Sequence, residues 1–328
     1  MHYWRHMPRF LQIALLSALV FSAGPAMAAN YPSRPIRLVV GFPPGGGGDL
    51  YGRLLAQGLS KRLNNPVIVE NKPGAGGNIA AEAVARSAPD GYTLLLAMSG
   101  NVAVAPVVRG AKLPYKSPGD FAMIGMAVEA PYGLFVAAKS PLKSGKQFFD
   151  DTKHKEITVG STSPSSAAHM VMEMVKFKSK AKMLYVPYSG SGPAVTDLIG
   201  GQIEGFFVTA PPLVGQVKGG ILRLLAITGD KRSPVIPDVP TFKELGVPVN
   251  VTQWYGLVAP KGTPAEILDK LSRTLSEVLK EPKVRKVIQQ DGAAVADIPR
   301  QRFAAYVDND IAGYRNDIDP GILASLAH

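Results

Sequence analysis

The segment Ile36-Arg-Leu-Val-Val-Gly41 is a short apolar run that passes through four consecutive glycines into an amphipathic stretch, and this feature limits the fold more than any other. A continuous run bounded by turn residues is the signature of a strand buried on both faces, as in a parallel sheet. Leu50, Leu54, Leu55, Leu59 and Leu63 then recur at helical spacing, so the spacing predicts a helix over 49–63. A strand over 67–70, a helix over 78–86 and a strand over 93–97 complete a βαβαβ unit. The pattern resumes with strands over 132–138, 157–159, 183–186, 203–208 and 222–228 and helices over 166–177 and 193–199, which implies a second α/β unit. A strand over 254–259 follows. Thr263-Pro264-Ala265-Glu266 reads as a capping box with proline at the first helical position, opening a helix to about Lys280. Helices from Pro282 and over 299–315 end the chain.

The 328 residues suffice for two ordinary domains, and 46% hydrophobic against 19% charged residues excludes wholesale disorder and coiled coil. The chain has no cysteine, which removes disulfides, thiolate metal sites, cysteine nucleophiles and a lipidated N-terminal cysteine. Of five histidines, His2, His6 and His328 lie at the ends, leaving His154 and His169, too few for a histidine-rich metal site. Arg5 and Arg9, the apolar run over 11–21 and Ala26-Met27-Ala28 have the order of a cleaved export signal over 1–28. The apolar run is far short of the roughly 20 residues that a membrane span needs. The expected product is exported by the general secretory route and carries no lipid anchor. The net charge of +11 is spread along the chain. Export argues against a nucleic-acid partner and leaves a bias toward small anions.

Four strand-to-helix junctions carry the chemistry. They are Phe42-Pro-Pro-Gly-Gly-Gly-Gly-Asp49, Pro73-Gly-Ala-Gly-Gly-Asn78, Ser161-Thr-Ser-Pro-Ser-Ser166 and Tyr188-Ser-Gly-Ser-Gly-Pro193. In open α/β sheets ligands bind beyond the carboxyl ends of the strands, so four such loops can converge on one crevice. Backbone amides at helix N-termini and serine hydroxyls suit carboxylates. The first loop lacks the Lys-Ser/Thr of a phosphate-binding loop. It also lacks the dinucleotide fingerprint, although Glu70 ends the second strand about 20 residues on and keeps that alternative open.

The segments Tyr31-Pro-Ser-Arg-Pro-Ile-Arg-Leu-Val-Val-Gly-Phe-Pro-Pro-Gly-Gly-Gly-Gly-Asp49, Glu70-Asn-Lys-Pro-Gly-Ala-Gly-Gly-Asn-Ile-Ala81 and Pro89-Asp-Gly-Tyr-Thr-Leu94 resemble motifs of the Bug family. So do Val186-Pro-Tyr, Pro193-Ala-Val-Thr-Asp-Leu-Ile-Gly-Gly-Gln-Ile203 and Trp254-Tyr-Gly-Leu-Val-Ala-Pro260. This family comprises the extracytoplasmic solute receptors of tripartite tricarboxylate transporters. The resemblance implies an α/β, two-lobed periplasmic binding protein of the hinge-closing (type II, Venus flytrap) kind. Lobe 1 would hold 29–130 and 251–328, and lobe 2 would hold 131–250. It implies a small carboxylate ligand, membrane permease subunits as partners, no cofactor and no metal, and a monomer. A receptor that presents a carboxylate to a membrane sensor kinase is the alternative.

By the same resemblance the first ligand loop falls on Phe42, Pro43, Pro44, Gly45 and Gly46, with Asp49 capping the helix. The glycine turn brings in Gly76, Gly77 and Asn78, and Ser99 and Asn101 follow the third strand. Ser161, Thr162, Ser166 and His169 match the family's second-lobe segment in part, with proline, serine and alanine for the usual glycines. Tyr188, Ser189, Gly190 and Ser191 occupy a stretch in which serine replaces a lysine. Val208 stands where many relatives carry an aspartate that selects an amino group, which argues against amino-acid ligands and leaves a dicarboxylate or an aromatic acid favoured. Phe206, Phe207 and Trp254 fit either a stack on an aromatic acid or the core. His169 fits either a carboxylate donor or a satisfied helix residue. Ser163, His169 and Asp197 are a conceivable triad, but no G-x-S-x-G elbow presents the serine, so no catalysis is expected.

Overall fold

Ten strands form one curled mixed sheet flanked by helices in the computed structural model, which describes residues 31–326 apart from Ser165 and Asp291. The expected export signal over 1–28 lies outside the described residues. From Arg34 onward the chain is one compact unit. β1 (Ile36–Val40) pairs in parallel with β2 (Val67–Asn71) and β3 (Thr93–Met98), and its apolar residues are almost wholly buried. The linking helices are α1 (Gly47–Leu63) and α2 (Asn78–Ala85). α1 ends at Asn64 in the left-handed conformation, whose N–H returns to the Ser60 carbonyl.

After the short α3 (Ala105–Arg109), β4 (Phe121–Ala137) runs for 17 residues. Sequence periodicity marks only its second half, because Gly125, Glu129 and Pro131 break the apolar run of the first. Tertiary pairing overrides that signal. From Phe121 to Pro131 the strand lies antiparallel to β9 (Thr252–Pro260), while its other edge meets β10 (Ala294–Pro299). From Tyr132 onward it pairs with β7 (Gly205–Thr209) and β8 (Leu222–Ile227). Pro131, which has no N–H to offer a ladder, sits where the partners change.

α4 (Gly145–Asp151), absent from the sequence reading, is capped by the Ser144 hydroxyl. β5 (Ile157–Thr162) pairs in parallel with β6 (Met183–Tyr188) and β7, joined through α5 (Ala167–Ser179) and α6 (Ser191–Gly200). The short α7 (Val214–Lys218) precedes β8. Near the C-terminus come α8 (Ala265–Lys280), α9 (Pro282–Gln290), α10 (Arg300–Asp317) and α11 (Pro320–Leu326). The capping box expected at Thr263 does not form: Pro264 is the N-cap and the Thr263 hydroxyl donates to the Pro260 carbonyl at 2.8 Å. With proline one position early, the threonine belongs to the preceding turn. β10 escaped the sequence reading because Asp297 interrupts it at φ 43°.

Phe206, Phe207 and Trp254 are core. All three are fully buried, Phe207 is stacked on Tyr132, and the Trp254 indole donates to the Asp310 carboxylate at 2.7 Å. Burial pushes the Asp310 carboxyl up to about 6, with the Trp254 N–H opposing and Glu129 reinforcing the rise. A carboxyl whose folded pKa exceeds its unfolded value of about 3.9 holds its proton more tightly when folded. Its contribution is therefore fully present below pH ~4 and is lost as pH rises through 6. Two units correspond to roughly 2 to 3 kcal/mol. Asp310→Asn keeps an acceptor for Trp254 without the charge, so it should raise Tm by roughly 2 to 5 °C at pH 8 and not at pH 4. Calorimetry at both pH values checks this; an equal shift at both would refute the buried-charge origin.

Candidate functional site

The carboxyl ends of β1, β2, β3, β5, β6 and β7 surround a cavity of about 510 Å³. Phe42, Pro43, Pro44, Gly45 and Gly46, between β1 and α1, form one side, with Gly76 beside them. Thr162 and Ser166 at the start of α5, and Ser189, Gly190 and Ser191 at the start of α6, form another. These eleven expected residues line one space.

The other seven do not line it, and their hydrogen bonds and packing explain why. Gly77 is packed against Asn101 and the Phe42 ring, and the Asn78 side chain accepts from Tyr115 at 2.8 Å. Asn101 accepts the Met98 amide at 2.9 Å, and Ser161 donates to the Phe207 carbonyl at 2.7 Å. Ser99 is buried against Gln253, and Tyr188 donates to Asp197 at 2.8 Å. His169 is stacked on Tyr185, with ring centroids 3.8 Å apart, and its Nε2 is 3.6 Å from the buried Glu173 carboxylate. These residues build the loops rather than the wall.

Sequence reasoning missed Met98, Tyr132, Thr209, Gln253 and Tyr255, whereas Val208, singled out for its bearing on ligand choice, does line the cavity. Met98 and Thr209 end β3 and β7, so the rule of carboxyl ends applied to every strand would have found them. Tyr132, Gln253 and Tyr255 come from strands antiparallel to their neighbours and carry no local mark. Gln253 Nε2 lies 2.7 Å from the Trp254 carbonyl, which can only accept, so the other amide atom is the oxygen. Tyr132 and Ser99 must therefore donate to it, at 2.8 and 3.0 Å. This buried knot ties β3, β4 and β9 together at the cavity.

No residue lining the cavity has a charged side chain. α1 and α6 begin at Gly46 and Gly190 with no side-chain cap, so amides of their first turns are available to an anion. α5 differs, because the Ser166 hydroxyl accepts the His169 amide at 3.2 Å. Glycine is obligatory at Gly47, where a Cβ would stand 2.6 Å from the Tyr255 hydroxyl, and at Gly45, whose φ is 90°. Asp49 does not cap α1 from the N-cap position. It reaches back from the first turn to the Gly45 amide at 3.1 Å and is held by Arg53 and Asn71. Burial opposes its ionisation, but those hydrogen bonds outweigh burial and hold the carboxyl below its usual range. The Arg53 pairing leaves little negative field at the cradle.

A family model described as "Tripartite tricarboxylate transporter family receptor" matches residues 52–319. The chain belongs to this family. Like BugT of Bordetella pertussis, to which it is 38% identical over 91% of this chain and 94% of that one, this receptor carries the family pattern over nearly its whole length. It superposes on MatC from Rhodopseudomonas palustris with bound malate at a TM-score of 0.80 and 31% identity, covering 88% of this chain and 100% of that one. Rpa4515 of R. palustris with adipate gives a TM-score of 0.83 and 28% identity, covering 91% and 98%. The fold is thus that of the periplasmic binding proteins, and the protein is a solute-binding receptor of the tripartite tricarboxylate family. Members of this family are receptors, not enzymes. Two residues of the conceivable triad are engaged otherwise, Asp197 by Tyr188 and His169 by Tyr185. Among the described residues no cluster of three metal-ligating side chains occurs, and no helix is long and apolar enough to cross a membrane.

Proposed function

We propose that this receptor captures a small carboxylate, a dicarboxylate or an aromatic acid, in the cavity and delivers it to the membrane subunits of a tripartite tricarboxylate transporter. The observation that carries the reading is a wall without charged side chains, in which hydroxyls and glycine backbone stand among apolar groups, with two helices that begin there without side-chain caps. Such a wall favours an anion without fixing it by a salt bridge. Malate and adipate in two solved relatives fit that chemistry. The family supports the permease as partner. In this reading, residues 29–130 with 251–328 are one lobe and 131–250 the other, and closure of the lobes encloses the solute. The change of β4 partners at Pro131 and the start of β9 at Thr252 support those boundaries. The leader over 1–28 is cleaved on export, and no lipid anchors the product.

Thermal unfolding of the exported protein against mono-, di- and tricarboxylates, each with its amide as control, tests the reading. Ligand at 100 times Kd should add about 2.7 kcal/mol, a rise of several degrees. A shift by one acid and not by its amide is the expected result. Equal shifts by acid and amide would overturn the anion reading.

A further inference from the structure

We propose that Tyr185 is a positioning residue for solute capture: it holds the loop between β5 and α5 in the form that faces the cavity, without lining the cavity itself. The inference rests on the reading of that cavity as the solute site. Tyr185 lies on β6, and its hydroxyl donates to the Thr162 carbonyl at 2.7 Å. Thr162 is the last residue of β5, its side chain is 2.9 Å from the Ser166 hydroxyl, and both residues line the cavity. Ser166 in turn caps the first turn of α5 through the His169 amide. One phenol thus fixes the carbonyl from which this polar chain starts.

Tyr185 is itself braced. His169 lies parallel to its ring at 15°, and Glu173, one turn further along α5, approaches His169 from the same helix. Lys176 Nζ stands 3.8 Å from the other Glu173 oxygen. His169 and Glu173 are each less than a tenth exposed, so the brace is interior rather than a solvated pair. This arrangement gives His169 a role that neither of its sequence-based readings contains: it supports the phenol that supports the loop.

The first loop is held in the same manner from the other parallel pair of strands. Asn71, at the end of β2, donates to the Phe42 carbonyl at 2.9 Å, and Val40 at the end of β1 is its register partner. In both places a side chain from the neighbouring parallel strand grips a carbonyl just at the strand-to-loop transition. Loops of this kind open locally unless such bonds hold them. A ligand that needs the ordered loop loses apparent affinity by the fraction of molecules in which it is ordered.

The test is amide hydrogen exchange on the full exported chain, which needs no ligand, combined with titration of malate and adipate. Tyr185→Phe removes one oxygen and leaves the stack on His169. Exchange at Ser166, His169 and Met170, whose amides are bonded to the Ser163 carbonyl, the Ser166 hydroxyl and the Ser166 carbonyl, should accelerate about three- to tenfold, the size expected for one lost hydrogen bond, while the amides of α1 remain unchanged. His169→Ala, which removes the brace and leaves the phenol, should accelerate the same amides. Tyr306→Phe, which removes a hydroxyl bound to Glu129 far along the chain, serves as the control and should not. Whichever acid binds the natural protein should bind Tyr185→Phe about three- to tenfold more weakly. Unchanged exchange at the three amides in Tyr185→Phe overturns the proposal. Accelerated exchange with unchanged affinity overturns its functional half and leaves a purely structural tyrosine. If neither acid binds the natural protein, the choice of carboxylate fails, and the exchange result still decides whether Tyr185 holds the loop.

Discussion

Gly190→Val abolishes solute binding and leaves the protein folded. Gly190 lines the cavity in extended backbone, φ 179° and ψ 179°, which any residue adopts, and a Cβ there meets nothing within 4 Å. The substitution therefore carries no backbone strain, and the added side chain occupies open space at the wall. Gly46→Val is equivalent on the other side: its φ is −92° and its Cβ likewise meets nothing. Each variant puts a branched side chain beside a helix N-terminus at the cavity, so the solute loses both space and access to the first-turn amides. Affinity should fall at least a hundredfold, about 3 kcal/mol or more, while Tm without ligand moves by no more than a few degrees. Calorimetric titration beside circular dichroism measures both. Normal affinity in either variant would place the solute elsewhere.

Val208→Asp has an effect of similar size for a different reason. Val208 lines the cavity from β7 and is almost fully buried, and no cation lines the same space. A carboxylate there would face a bound carboxylate without a counter-ion, and like charges at such distances repel strongly where water is excluded. Binding of acids should drop by a hundredfold or more. Val208→Asn has the same shape and no charge, so it separates repulsion from the polarity of the new group. The asparagine variant should lose at most about tenfold. Equal losses in the two variants would show that the acid's charge is not what the site reads. Burying either polar group lowers stability by a few kcal/mol, so titrations belong well below the lowered Tm.

The four strand-to-helix junctions were legible as a set because parallel strands place their carboxyl ends on one side of a sheet. Eleven of the eighteen expected site residues line the one cavity. Seven do not, and the reason is physical rather than statistical. A polar residue near a strand or helix end, such as Asn78, Asn101 or Ser161, can satisfy a buried backbone or side-chain partner as readily as a ligand. Sequence records the donor and not its direction. Asn101 accepts from the Met98 amide and Ser161 donates to the Phe207 carbonyl, so both side chains are spent on backbone groups.

The sequence by itself determined the parallel α/β units, the glycine-rich turns, the absence of cysteine chemistry and the family. The first three follow from local periodicity, from turn residues and from composition, and the family from the resemblance of its motifs, none of which depends on distant contacts. Only the tertiary structure decided that 121–131 is strand, that Tyr132, Gln253 and Tyr255 reach the cavity, and that His169 turns inward to Tyr185. Each of those outcomes is set by pairing between segments far apart in the chain. The Gln253 amide is oriented by Tyr132, which precedes it by 121 positions, and no local pattern of apolar and polar residues encodes such a contact.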